Sequence, residues 1–165
     1  MSADMSDERK SVLVVGGASG LGAATVRALA AAGHAVTFTY RSSPERAQAL
    51  ADELVPMHGE GSVTASALDL SDRDAVEAFC EWAEGQGFYG YVHNAGQSAD
   101  ALAAMLDRER AEAAMQVNFW SMTRIAKALV RGMIRARAAA SSPSVRWPRS
   151  RPMPATRPTR RPRAP

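Results

Sequence analysis

The chain has 165 residues, enough for one domain with a buried core, and its 20 basic and 17 acidic side chains leave a net charge of +3. The total hides a split: residues 1–137 carry 13 basic and all 17 acidic side chains (net −4), whereas residues 138–165 carry seven Arg and no acid. The basic excess therefore belongs to the tail and does not make the body a binder of polyanions. A single cysteine, Cys80, excludes an internal disulfide and fits a reducing compartment. The start (Ser2, Asp4, Asp7, Glu8) is polar and acidic, unlike a signal peptide, and no apolar stretch approaches the ~18 residues of a membrane span. These features lead to the expectation of a soluble, cytoplasmic protein with no membrane partner. His34 and His58 lack metal-ligand spacing, and no metal is expected.

Residues 1–10 are expected to form a flexible N-terminus. Ser11–Val15 is a β-branched run ending in glycines and is predicted as a buried strand. Residues 20–32 are alanine-rich, with Val26 and Leu29 at helical spacing, and Gly33 closes that helix. Ala35–Tyr40 is a second strand. Pro44 opens a helix after Ser42-Ser43, predicted to run to about Val55. Residues 62–68 form a third strand. Ser71 is expected to cap a helix carrying Val76, Phe79 and Trp82, with Asp72 and Asp74 in its first turn. Residues 88–93 form a fourth strand, followed by helices near 99–104 and 109–137.

Strands alternating with helices predict parallel βαβ units, whose strands, buried on both faces, read as apolar runs. No internal repeat is present. Beyond residue 137 the composition changes: seven of the nine prolines lie from Pro143 onward, interleaved with Arg and Ser. Such a segment cannot bury a core, so residues 11–137 are read as the folded domain and 138–165 as a disordered tail.

The first strand leads through Gly16-Gly17-Ala18-Ser19-Gly20-Leu21-Gly22 into a helix. Glycines permit positive φ and let backbone amides approach a pyrophosphate, and a helix N-terminus adds free N–H donors and partial positive charge. The strand–turn–helix setting separates this motif from an ordinary glycine-rich turn. At the end of the second strand stands Arg41, a residue type that pairs bidentately with phosphate; an acid there would instead bind a ribose and repel a 2′-phosphate.

The Gly16-x-x-x-Gly20-x-Gly22 spacing resembles the cofactor turn of the short-chain dehydrogenase/reductases. The resemblance runs over residues 11–137 and is nearest to the 3-oxoacyl-[acyl-carrier-protein] reductases. It implies an α/β fold, a Rossmann-type doubly wound parallel sheet, truncated here to about four strands in the order 3-2-1-4. It also implies NADP(H) as cofactor, with NAD(H) the lesser alternative, because Tyr40 stands where NAD-preferring members carry an acid. By the same resemblance the cofactor-binding residues are Gly16, Ser19, Gly20, Leu21 and Gly22 in the turn and Arg41 after strand two. After strand three come Asp69, which in the family hydrogen-bonds adenine, and Leu70. After strand four, Asn94, Ala95 and Gly96 match the family's N-A-G signature. Asn118 matches the helix Asn of the catalytic tetrad, whose main chain holds a water of the proton relay. Two positions depart from the family: Val15 replaces a Thr before the first glycine, at the cost of a side-chain hydrogen bond, and His93 replaces an Asn before N-A-G.

In that family the next strand carries a Ser that holds the carbonyl oxygen, followed by a Tyr that protonates the developing alkoxide and a Lys that lowers the Tyr pKa. This chain has Tyr40, Tyr89 and Tyr91, all before Asn118; its last lysine is Lys127, and no Tyr-x-x-x-Lys exists. The tail suggests a reason. Codons for residues 140–165 can be chosen so that a neighbouring frame restores the family's strand. Ser then falls over Arg146, Tyr over Thr159 and Lys over Arg163, at the family's spacing. The expectation is a one-base shift near Ala138. The expected function is that of an NADP(H)-dependent oxidoreductase lineage reducing a 3-oxoacyl thioester, free or bound to acyl carrier protein, in a chain that is itself truncated and inactive. The family is usually homo-oligomeric, and the missing half holds its usual contacts, which leaves oligomerisation in doubt. The alternatives are another short-chain alcohol or sugar dehydrogenase, a binding-only NADP sensor, or nonspecific nucleic-acid binding through the tail. No specific nucleic acid is expected, since the tail has one aromatic, Trp147, and no folded platform.

Overall fold

The computed structural model describes residues 9–140. The expected flexible N-terminus lies almost wholly outside these residues, as does the expected tail beyond Ala140.

Four strands, β1 (Ser11–Val15), β2 (Ala35–Tyr40), β3 (Val63–Ala67) and β4 (Gly90–His93), form one parallel sheet in the order β3-β2-β1-β4. Helices α1 (Gly20–Ala31) and α2 (Pro44–His58) cover one face. Helix α3 (Arg73–Glu84) and the long C-terminal helix cover the other. Successive side chains of a strand point to opposite faces, and β1 shows the consequence. Val12 and Val14 pack with Ala23, Val26 and Ala30 of α1 and with Leu50 and Leu54 of α2. Leu13 and Val15 pack with Val76, Phe79 and Cys80 of α3 and with Ile125 and Leu129. Leu13, Val14 and Val15 are all at 0% exposure, which is why this strand reads as an unbroken apolar run.

The helices follow the same economy. Buried positions recur every three or four residues: Ala23, Val26, Ala30 in α1; Ala47, Leu50, Leu54 in α2; Val76, Phe79, Cys80, Ala83 in α3. Helix α1 ends as expected at Gly33, whose φ of 84° takes the left-handed region; Gly33 N donates to Ala30 O and His34 N to Leu29 O, the paired bonds of a Schellman motif.

Several expected boundaries move. Helix α2 continues past Val55 to His58, with Pro56 in its last turn. The third and fourth strands are shorter than 62–68 and 88–93. The cap of α3 is Asp72, whose carboxylate accepts from Asp74 N and Ala75 N; Ser71 instead donates its N–H and hydroxyl to Asp69. In place of a helix at 99–104 there is one 3-10 turn, Ala103–Met105, because Leu102 and Met105 find nothing to bury against and stay 74% exposed. The helix expected over 109–137 is three pieces: α4 (Arg108–Met115), a π-helical turn (Gln116–Trp120) and α5 (Ser121–Ala140). It thus runs three residues past its expected end at residue 137.

Helix α5 lies along α3, with Arg124 paired to Glu77 and Arg135 to Glu84 (2.7 Å). Such exposed pairs contribute on the order of 0–1 kcal/mol each. The contact is held by Ile125, Ala128 and Leu129 instead, against Phe79, Cys80 and Ala83.

Candidate functional site

A cleft of about 430 Å³ opens at the C-terminal ends of the strands, where parallel α/β sheets bind ligands. Its walls come from the β1–α1 turn (Gly16, Ser19), the end of β2 (Thr39, Tyr40, Arg41), the β3–α3 segment (Leu68, Asp69, Leu70) and the segment after β4 (Asn94, Ala95, Gly96, Gln97), with Val117 behind. A smaller side pocket continues along Arg41, Ser42 and Ser43 to Ala18 and Ser19.

The glycine turn is held from both sides. Gly16, at φ 81°, donates its N–H to Thr39 Oγ1 (3.1 Å) and accepts at its carbonyl from Asn94 Nδ2 (2.9 Å). Gly17 N donates to Thr39 O (2.9 Å). Gly22 packs beneath: an added Cβ would overlap the Gly16 carbonyl oxygen and lie 2.7 Å from Asn94 Nδ2. Only glycine lets α1 approach the turn so closely. Helix α1 begins without a side-chain cap from Ser19 and without an acid in its first turn. Its first N–H groups are therefore not satisfied by the helix's own side chains, and its dipole favours an anion in front of them.

The rest of the wall supplies charge of both signs. Asp69 Oδ1 accepts from Ser71 Oγ (2.6 Å) and Ser71 N (2.9 Å). The Ser71 hydroxyl above all, then its amide, holds the Asp69 carboxyl below the usual range, and the nearby Arg41 adds to this. Arg41 is exposed, on the wall shared by the cleft and the side pocket.

Asn118 lies in the π-helical turn, outside the cleft lining. Its Oδ1 accepts from Gln97 N (2.7 Å) and its Nδ2 donates to Gln97 O (2.8 Å), so one side chain grips both main-chain groups of a cleft residue. From the same turn Gln116 Nε2 donates to Leu70 O (3.3 Å). A π-helical turn here re-aims two polar side chains at the two loops that form one side of the cleft. His93 is not part of the cleft lining. Its Nδ1 bonds Tyr91 Oη (2.9 Å), its Nε2 is buried without a partner, and burial pushes its pKa down and that of Tyr91 up.

Of the residues singled out in the sequence, Gly16, Ser19, Arg41, Asp69, Leu70, Asn94, Ala95 and Gly96 line the cleft together. Gly20, Leu21, Gly22 and Asn118 do not line it: Leu21 is 76% exposed on the first turn of α1, and Gly22 is buried under the turn. Sequence reasoning passed over Thr39 and Gln97. Thr39 had a readable signal, a polar residue inside a strand otherwise apolar near its end; Gln97 had none.

The sequence profile described as short chain dehydrogenase matches residues 10–141. The chain belongs to the short-chain dehydrogenase family. Over 128 residues it is 35% identical to the 3-oxoacyl-[acyl-carrier-protein] reductase MabA of Mycobacterium tuberculosis, a match covering 76% of this chain and 46% of MabA. Over 67 residues it is 60% identical to a Streptomyces antibioticus protein named "Probable oxidoreductase", covering 41% of this chain and 22% of that protein. Among solved structures, a short-chain dehydrogenase of Sphingobium yanoikuyae in complex with NADPH superposes with a TM-score of 0.70 at 26% identity, covering 77% of this chain and 50% of that one. The matches thus span half or less of these relatives. The four-stranded parallel sheet in the order 3-2-1-4 and its flanking helices are those of a Rossmann-like short-chain dehydrogenase.

Proposed function

We propose that the chain binds NADP(H) in the cleft, as the cofactor-binding portion of a reductase of 3-oxoacyl thioesters. The observation that carries this reading is Arg41 on the wall between the main cleft and a side pocket also lined by Ser19, Ser42 and Ser43, with no acid on that pocket. Guanidinium and hydroxyl groups suit a phosphate, and an uncapped helix N-terminus beside a glycine turn suits a pyrophosphate. The residues present therefore fit the dinucleotide. The turn and α1 would hold the pyrophosphate, Arg41 the 2′-phosphate, Asp69 and Leu70 the adenine, and the segment after β4 the nicotinamide end. Bound there, the cofactor supplies a hydride. The thioester substrate class follows from the likeness to MabA, a 3-oxoacyl-[acyl-carrier-protein] reductase.

This sequence contains no Tyr-x-x-x-Lys to move a proton to the reduced carbonyl. The proposal therefore includes that the 165-residue chain binds cofactor without completing the reduction, and that a frame shift near Ala138 accounts for the Arg/Pro-rich tail. The proposal also takes a cytoplasmic setting; no helix among the described residues is long and apolar enough to cross a membrane.

Titration of the full chain with NADPH and NADH, followed by nicotinamide fluorescence, tests the first part. NADPH is expected to bind at least about tenfold more tightly, and Arg41→Ala to erase the difference, since a charge-assisted hydrogen bond contributes roughly 1.5–3 kcal/mol. Binding of neither nucleotide refutes the reading. Oxidation of NADPH by acetoacetyl thioester would overturn the inactivity. A gene whose frames around codon 138 encode no Tyr-x-x-x-Lys would end the frame-shift proposal.

A further inference from the structure

We infer that Thr39 is a positioning residue for the cofactor: from β2, its side chain fixes the peptide of Gly16 and so sets the phosphate-facing shape of the glycine turn. This rests on the dinucleotide reading above, but its physical basis is separate. Thr39 is 2% exposed, one of three buried polar residues among those described, and it lines both the cleft and the side pocket. It makes two bonds to consecutive turn amides, Gly16 N to its hydroxyl and Gly17 N to its carbonyl. From the other flank Asn94 Nδ2 holds the Gly16 carbonyl. The Thr39 hydroxyl thus takes the Val15–Gly16 amide, while the Gly16–Gly17 peptide is held at its N–H by the Thr39 carbonyl and at its oxygen by Asn94, on either side of a glycine whose left-handed backbone would otherwise be free to turn.

The clamp also decides which amides can meet a phosphate. The N–H groups of Gly16 and Gly17 are spent on Thr39 and are not free for an anion, unlike those at the start of α1. They are in register with the cleft only while the turn leading into them keeps its course. Val15, the residue next to the turn on β1, is buried and offers no hydroxyl to share the task. Replacing the Thr39 hydroxyl by a methyl of the same size leaves the Gly17 bond in place but strips the Gly16 amide of its acceptor.

The test uses Thr39→Val and Thr39→Ser in the full chain, with two readouts. In T39V, Kd is expected to rise about tenfold for NADPH and by the same factor for NADH, because the turn serves the part common to both; T39S, which keeps the hydroxyl, is expected to stay within about threefold of the parent. Loss of Arg41 would instead weaken NADPH alone. Amide hydrogen exchange supplies the second readout without any cofactor: in T39V the Gly16 amide is expected to lose protection while that of Gly17 keeps most of its own. Equal Kd values in T39V and the parent, with Gly16 still protected, would overturn the inference, as would T39S failing as badly as T39V. If the parent binds neither nucleotide, the dinucleotide reading and the positioning role fall together, and the Gly16 exchange rates then decide only whether the clamp itself exists.

Discussion

Strands β1 and β4 lie side by side in one sheet, yet they are finished to different degrees. β1 is paired on both edges, and three of its residues are wholly buried. Among the described residues β4 pairs only with β1, and all four of its residues are half-buried. At the end of β1 the Val15 carbonyl accepts from both Asn94 N and Ala95 N. On β4 the imidazole of His93 keeps a buried nitrogen without a partner. The difference teaches that one sheet can form a well-defined cleft at its strand ends while, among the described residues, its β4 edge stays unpaired. The cleft is built from the C-terminal ends of all four strands, whereas the outer edge of β4 has no partner strand among the described residues.

The largest effect that would break this comparison is a core deletion on each strand. Leu13→Ala is expected to cost about 2–5 kcal/mol in chemical denaturation, and Val92→Ala only about 1 kcal/mol, because Leu13 is wholly buried and Val92 only partly. Equal costs would show that β4 is as well buried as β1. The join between the two strands comes next. Gly22→Ala is expected to destabilise by roughly 1–3 kcal/mol through overlap with the Gly16 carbonyl and Asn94, although alanine inside a helix ordinarily gains about 1 kcal/mol over glycine. A stabilised G22A variant would mean that the two sides are not pressed together at the turn.

A smaller effect sharpens the account of the α3 side. Asp72→Ala is expected to cost about 1 kcal/mol as the loss of a helix cap, and Ser71→Ala less; a reversal of the two in thermal melts would restore Ser71 as the cap. The smallest effect is on pH. Burial lowers the pKa of His93 below its ordinary value, so the folded state favours the neutral ring. That contribution is whole above the unfolded pKa of about 6.5 and is lost as pH falls through the folded value. The midpoint of thermal unfolding is therefore expected to drop between about pH 7 and about pH 5, and His93→Asn to flatten that part of the profile.

Much of this was legible without coordinates. The bounds of β1 and β2 follow from apolar runs stopped by glycine or by charge, and the strand order followed from the family resemblance. Leu102 and Met105 misled because an apolar residue signals a helix face only if another surface is there to cover it. Ser71 misled because two good capping residues stand together; the turn that gives Ser71 to Asp69 leaves the role to Asp72. Asn118 was found by its place in a motif, but its geometry, a side chain gripping the Gln97 main chain from a π-helical turn, was not foreseeable from spacing.

By itself the sequence determined the alternation of strands and helices, the glycine turn, and the residue types at each strand end. These are local or periodic properties, carried by neighbours within a few positions of one another. Only the tertiary structure decided that Thr39 and Asn94, 55 positions apart, close on the N–H and the carbonyl of one residue, Gly16, because hydrogen bonds of that kind depend on strand register. The strand order decided that β1 is paired on both edges and β4, among the described residues, on one.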